Sequence, residues 1–372
     1  MNRSHHQGTR ELDRPASPIE PLNVLVVDDS ALVRQVLAAV LQERRGFRVT
    51  VAADPLIAIQ KMKKSLPDVI LLDLEMPHMD GITFLRKLMK ENPIPVVVCS
   101  ALTGPTTDAA IRALEYGAVD IITKPAVGIR GFFEESAMLL EDTVRAAAVA
   151  RLRRNSGRAA STSQVPTAKT PVFCSAVGKQ TDRIIAIGAS TGGTEALLHL
   201  FAQMPADCPG IVAVQHMPEG FTAAFARRLD DSCEIAVREA ADGDTVMPGH
   251  AYIAPGNHHL LVHRTGSIYS LEVRGGALVS RHRPSADVLF RSVARAAGPE
   301  AVGILMTGMG EDGAEGLLEM RRSKAFTIAQ DEATCVVFGM PRAAIIRGAV
   351  DEIQPLQRIA SAVFRHFGAH QP

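Results

Sequence analysis

The chain has 372 residues, too many for one compact core and enough for two domains. Its 40 lysines and arginines balance 40 aspartates and glutamates and 47% of its residues are apolar, so it is a globular protein whose overall field selects neither nucleic acid nor an anionic membrane. The five cysteines, Cys99, Cys174, Cys208, Cys233 and Cys335, are scattered without a C-x-x-C pair, which argues against a disulfide framework or zinc site and for a reducing cytoplasm; no apolar run approaches the roughly 20 residues that span a bilayer.

Residues 1–21 are polar, with prolines and histidines instead of an apolar signal core, and are expected to form a disordered leader. From Asn23 short apolar runs alternate with amphipathic ones, the α/β pattern of a parallel sheet covered by helices. Strands are expected at Val24–Val27, Arg48–Ala52, Val69–Leu72, Val96–Cys99 and Val119–Thr123. Ser30 is placed to cap a helix whose apolar residues Leu32, Val33, Val36, Leu37, Val40 and Leu41 fall at helical spacing. Open parallel sheets gather chemistry at the carboxyl ends of their strands, and here those ends carry Asp28, Asp29, Asp73, Ser100 and Lys124. Carboxylates crowded at one edge raise one another's pKa unless a cation joins them, so Mg2+ is the natural completion, and Lys124 adds a point charge suited to a phosphoryl oxygen.

This first half, residues 22–142, resembles the receiver domain of bacterial two-component response regulators, a flavodoxin-like five-stranded parallel sheet. The likeness rests on Val26-Val27-Asp28-Asp29-Ser30, Leu72-Asp73-Leu74-Glu75-Met76-Pro77 with Asp80-Gly81 behind it, Ser100-Ala101, and Lys124-Pro125. It implies that Asp73 accepts a phosphoryl group from a histidine kinase, that Asp29, Asp73 and the Glu75 carbonyl bind Mg2+ with Asp28 acting through water, and that Ser100 and Lys124 hold the phosphoryl oxygens. It also implies a cis bond before Pro125. Receivers often carry an aromatic switch residue three positions before the lysine; here Ile121 stands there, so aromatic rotation is not the switch.

Residues 143–181 contain no acidic residue, while Arg145, Arg151, Arg153, Arg154, Arg158, Lys169 and Lys179 stand among serines, threonines, prolines and alanines: a basic linker with a helical beginning. The α/β pattern restarts near Arg183, with strands expected at Ile184–Ile187, Ile211–Val214, Val302–Met306 and Phe326–Ala329, and helices around Glu195, Phe221, Asp287 and Ala314. Between them Ala251–Ile253, Leu260–His263 and Ile268–Val273 read as inserted β-hairpin material. Gly188-Ala189-Ser190-Thr191-Gly192-Gly193-Thr194 places a serine at a strand-to-helix turn, a position for a nucleophile, before a helix expected over Thr194–Met204. For its base, His216 is best placed at a strand end, with His258, His259, His263 and His282 as rivals; for the orienting acid, Asp312 and Asp331 both follow strands.

The second half, residues 182–372, resembles the catalytic domain of the chemotaxis methylesterase family CheB, a doubly wound α/β domain. The carrying motifs are the Ser190 turn, Gln215-His216-Met217-Pro218, Ile253-Ala254-Pro255-Gly256, Pro284-Ser285-Ala286-Asp287, Thr307-Gly308-Met309-Gly310-Glu311-Asp312-Gly313, and Ala329-Gln330-Asp331-Glu332 leading to Gly339-Met340-Pro341. The resemblance implies Ser190 as nucleophile, His216 as general base and acid, Asp312 as orienting carboxylate, and the Thr191 and Met309 amides as oxyanion donors. It implies hydrolysis of glutamyl methyl esters on the cytoplasmic helices of chemoreceptors, with glutamine deamidation as a second activity, no cofactor in the esterase site, and an unphosphorylated receiver packed over the Ser190 face. The alternative is a receiver-controlled interaction module whose second domain is idle or binds phosphate. Against it, the Ser190 turn has no P-loop lysine and does not read G-x-G-x-x-G. No helix-turn-helix pattern points to DNA.

Overall fold

The computed structural model describes residues 20–77, 79–101, 104–124, 130–151 and 182–369. The expected leader up to residue 19, the Pro125 bond and the linker residues 152–181, Cys174 among them, lie outside the described residues.

The first domain runs β1 (Leu22–Val27), α1 (Ala31–Glu43), β2 (Phe47–Ala52), α2 (Pro55–Met62), β3 (Val69–Leu72), α3 (Gly81–Glu91), β4 (Val96–Ser100), α4 (Gly104–Glu115), β5 (Asp120–Thr123) and α5 (Arg130–Ala148). Its five strands are parallel in the order β2-β1-β3-β4-β5. Every residue of β3 and β4 is buried, because helices cover both faces and leave no polar side for alternation. The helix starts are written in the sequence: Ser30, Asp54 and Asp80 each accept a hydrogen bond from the amide three residues on. Leu37 and Leu41 of α1 enter the core as expected, whereas Leu32 is 53% exposed. Helix α5 continues past residue 142 with Val144, Ala146 and Ala147 buried.

The second domain follows as β6 (Ile184–Ala189), α6 (Gly193–Phe201), β7 (Gly210–Gln215), α7 (Phe221–Ser232), β8 (Ala236–Glu239), β9 (His250–Ile253), β10 (His259–Thr265), β11 (Ile268–Arg274), α8 (Ala286–Ala296), β12 (Ala301–Leu305), α9 (Ala314–Arg322), β13 (Phe326–Gln330), α10 (Met340–Ile346), β14 (Glu352–Gln354) and α11 (Leu356–Ala369). Seven strands form one parallel sheet in the order β14-β13-β12-β6-β7-β9-β8. One expectation is corrected here. Residues 251–253 are not hairpin material: β9 pairs in parallel with β7 and β8, and only β10 and β11 form the antiparallel ribbon. The α6 helix also begins one residue earlier and ends at Phe201, short of Met204. No described helix is long and apolar enough to cross a membrane.

Candidate active site

Strands β12, β6 and β7 are consecutive in the sheet, and the candidate residues lie in the loops after their carboxyl ends. Neighbouring strands go opposite ways from β6, the switch point where open α/β sheets form crevices. Ser190 follows β6 in the turn before α6. Its amide donates to Thr307 O at 3.0 Å and its carbonyl accepts from Gln215 Nε2 at 2.9 Å, so both neighbouring strands hold it. Two glycines permit this closeness. Gly192 has φ 77° and a Cβ there would lie 2.5 Å from Val336, while a Cβ on Gly308 would come within 2.6 Å of the Ser190 Cβ.

His216 follows β7, its amide bound to Ala189 O at 3.0 Å. Its ring Nε2 donates to Asp312 Oδ2 at 2.8 Å, which leaves Nδ1 as the lone-pair nitrogen, buried and without a protein hydrogen-bond partner. Asp312, after β12, also accepts from Ser285 Oγ (2.6 Å), the Ala286 amide (2.7 Å) and the Asp287 amide (3.3 Å). Burial alone would push this carboxyl up; the hydrogen bonds from His216 and Ser285 and the neighbouring imidazoles outweigh it and hold it below the ordinary carboxylate range. Asp312 is therefore a fixed anion pointed at one imidazole.

The rival residues are occupied elsewhere. His282 stacks on His216, ring centroids 3.8 Å apart, and its Nδ1–H donates to Ser280 O; burial and the adjacent His216 push it down, so it stays neutral. His259 bonds Ala277 O and the Ser285 amide, His258 bonds Gly256 O, and His263 pairs with Glu272. Asp331 binds the Thr334 amide and hydroxyl of its own loop.

In the first domain Asp28, Asp29 and Asp73 place carboxylate oxygens within 4.8 Å of one another. Lys124 Nζ joins two of them, 2.7 Å from Asp73 Oδ2 and 3.0 Å from Asp28 Oδ2. Burial raises the Asp73 carboxyl against the lowering effect of Lys124. Burial would lower the Lys124 ammonium, but its bonds to Asp73 and Asp28 raise it instead. Ser100 is buried at the end of β4. The hard oxygen donors and the cluster's excess negative charge fit a Mg2+ ion.

Residues 24–129 match the response regulator receiver domain and residues 185–363 match the CheB methylesterase domain. The protein-glutamate methylesterase/protein-glutamine glutaminase 5 of Anaeromyxobacter dehalogenans is 56% identical over 359 residues, covering 94% of this chain and 98% of that protein. The chain belongs to the CheB methylesterase family. A second CheB-family relative, protein-glutamate methylesterase/protein-glutamine glutaminase 3 of Geobacter metallireducens, is 54% identical over 94% of this chain and the whole of its own length. The solved catalytic domain of Thermotoga maritima CheB methylesterase is 36% identical and covers 49% of this chain and 97% of its own, with TM-score 0.48.

Within this CheB-family chain the receiver touches the Ser190 turn. Thr191 Oγ1, beside Ser190, donates to Asp120 Oδ2 at 2.8 Å. Asp120 begins β5 and Lys124 directly follows it, so one four-residue strand has the Asp28–Asp73–Lys124 cluster at one end and the Ser190 turn at the other. Burial pushes the Asp120 carboxyl up to about 6, against the lowering effect of the Ile121 amide and the Thr191 hydroxyl. Sequence reasoning missed Asp120 and the roles of His282 and Ser285. Ser285 alone had a local signal, since it caps α8 by accepting from the Val288 amide.

Proposed function

We propose that Ser190, His216 and Asp312 hydrolyse γ-glutamyl methyl esters on the cytoplasmic helices of chemoreceptors, under control of phosphorylation at Asp73. The chain is a receiver-bearing protein-glutamate methylesterase/protein-glutamine glutaminase; the residue roles are our reading. The observation that carries them is the His216–Asp312 bond at 2.8 Å, which fixes the imidazole proton on Nε2 and leaves a buried basic Nδ1 in the loop beside the Ser190 turn. That nitrogen takes the Ser190 proton as Oγ attacks the ester carbonyl, and returns it to the departing methoxide. Water, deprotonated by the same Nδ1, then attacks the acyl-serine and releases the glutamate. An amide in place of the ester gives ammonia and the same acid. The Thr191 and Met309 amides flank the place where the oxyanion forms, Thr191 following the nucleophile and Met309 following Gly308, which packs on Ser190; each such donor is worth roughly 3 kcal/mol in comparable hydrolases. Apo hydrolases commonly lack the serine–histidine bond until substrate is present.

In the receiver, Asp28, Asp29, Asp73 and the Glu75 carbonyl would hold Mg2+, which neutralises charge on the incoming phosphoryl group. Ser100 and Lys124 face the phosphoryl oxygens. A phosphoryl group at Asp73 competes for Lys124, at one end of β5, and frees Asp120 from Thr191 at the other. The donor is a histidine kinase. Methanol release from methylated receptors is expected to rise with a small-molecule phosphodonor and Mg2+ in the wild type and to stay at the basal level in Asp73→Asn. Stimulation of that variant would rule out Asp73 as the acceptor.

The Asp120–Thr191 contact carries a pH dependence of definite sign. Closure raises the Asp120 carboxyl from 3.8 to about 6, so the closed arrangement binds the extra proton: its advantage is present at low pH and is lost as pH rises through about 6. The ratio of basal to phosphorylated activity is expected to fall about fourfold between about pH 7.5 and 5.5, a ratio in which the titration of the catalytic machinery cancels. Asp120→Asn should flatten that dependence and lower basal activity at pH 7.5. An Asp120→Asn ratio that tracks the wild type across the range would refute it.

A further inference from the structure

Arginines of the catalytic domain face carboxylates of the receiver on two sides of the Ser190 turn. On one side Arg227 Nη2 of α7 lies 3.7 Å from Asp108 and Arg228 Nε lies 2.9 Å from Glu115, both acids on α4. On the other, Arg281 Nη1 is 3.2 Å from Asp142 and Arg283 Nη2 is 3.5 Å from Glu135, both on α5. Arg281 and Arg283 bracket His282, the ring stacked on His216, and Arg228 also holds Glu195 in the first turn of α6. The positive side chains thus rim the candidate active site.

As fasteners the Arg227 and Arg281 pairs are poor, whereas Arg228 and Arg283 are only 13% and 18% exposed. Arg227 and Asp108 are 68% and 65% exposed, Arg281 is 63% exposed, and exposed pairs contribute about 0–1 kcal/mol each. These four agree in polarity, arginine on the catalytic side and carboxylate on the receiver side, while beyond α5 the linker's Arg151 pairs in the opposite sense with Glu332 at 2.6 Å; the arrangement of the four selects charge and orientation more than it binds. The spacing repeats as well. Asp108 and Glu115, and again Glu135 and Asp142, stand seven residues apart on their helices, two turns on, and so share one helix face about 10 Å apart. The receiver therefore shows the catalytic domain two acidic helix faces of the same pattern.

We propose that Arg227, Arg228, Arg281 and Arg283 are the docking surface for an acidic helical substrate, and that α4 and α5 occupy it in the closed state as stand-ins for that helix. This rests on the esterase reading above. Hydrolysis converts neutral esters to carboxylates, so a helix carrying several such glutamates offers anions next to the one being cleaved. Release of the receiver exposes the rim and admits the receptor helix to the same arginines.

The test uses the full-length protein with phosphodonor, measuring both binding to a methylated receptor cytoplasmic fragment and the substrate dependence of methanol release. Arg227→Glu with Arg281→Glu is expected to raise KM and weaken binding about tenfold, leave kcat within about twofold, and lose its effect as salt approaches about 0.5 M. Adding Asp108→Arg and Asp142→Arg restores the ion pairs with reversed sign; low unphosphorylated activity should return, showing an intact closed fold, while the KM defect persists. Unchanged KM and binding, with raised unphosphorylated activity alone, would mean that the arginines only hold the receiver and would overturn the proposal. Wild-type protein that binds the fragment but releases no methanol would instead sink the esterase reading and leave the docking surface standing.

Discussion

Replacing Ser190 with alanine is expected to lower kcat for methanol release by on the order of 10^6, the size of the loss when a nucleophilic serine is removed from a comparable triad. The fold should not register the change. The turn is held through the Ser190 backbone, by the Thr307 carbonyl and the Gln215 amide, and alanine keeps both bonds. It also keeps the Cβ against which Gly308 packs. The hydroxyl carries no part of that support, so thermal stability within about 0.5 kcal/mol of the wild type is expected, the usual range for a substitution that leaves packing intact. Receptor binding by the phosphorylated variant should also be retained, since the rim arginines are untouched. Residual catalysis of about 10^3 over water should survive through the oxyanion donors. The decisive measurement is methanol release under single-turnover conditions, with denaturation midpoints alongside: a variant retaining a tenth of wild-type activity would exclude Ser190 as nucleophile.

What the sequence made legible follows from where burial is complete. Strands such as Val69–Leu72 and Ala301–Leu305 are buried on both faces and read as unbroken apolar runs, so their existence is written locally. The edge strands are not: Ala236–Glu239 alternates buried and exposed residues and carries charge, and Glu352–Gln354 has only three residues. The 251–253 segment shows the other limit. Its apolar character marks a strand, but its parallel partner in β7 lies some 40 residues upstream, and nothing local distinguishes that pairing from a hairpin with the next strand. The candidate residues at strand ends were legible for the topological reason that parallel strands deliver their carboxyl ends to one edge. Spacing could not choose between Asp312 and Asp331. The choice is made by strand order, since β12 adjoins β6 while β13 lies one strand farther away. Asp120 and the four arginines had no motif at all, because their meaning arises only when one domain is laid on the other.

Asp312→Ala is expected to lower kcat by roughly 10^4, near the loss from removing the acid of a comparable triad, and to destabilise the catalytic domain by several kcal/mol. The two effects have one origin. Asp312 accepts from His216 Nε2 and the Ala286 amide at Oδ2, and from the Ser285 hydroxyl and the Asp287 amide at Oδ1, in a site where it is 1% exposed. Alanine strands these donors in the interior, at about 1–3 kcal/mol for each left unsatisfied, and frees the imidazole to turn. Asparagine should be the milder change, for a reason fixed by these bonds. Its NH2 would meet a donate-only backbone amide on either side, Ala286 at 2.7 Å from Oδ2 or Asp287 at 3.3 Å from Oδ1; the longer contact, and a Ser285 hydroxyl beside Oδ1 that can rotate and accept, place the NH2 at Oδ1. The amide oxygen therefore stays on His216, the proton stays on Nε2, and Nδ1 remains the base. What is lost is the anion that stabilises the imidazolium during attack, not the tautomer. Asp312→Asn should accordingly retain at least about tenfold more activity than Asp312→Ala and lose less stability, about 1–3 kcal/mol for the one Asp287 amide left facing NH2, checked by single-turnover methanol release and denaturation midpoints on both variants. Equal losses of activity in a stable Asp312→Asn protein would mean that the amide turns the other way and the imidazole changes its proton, against the hydrogen-bond pattern of the site.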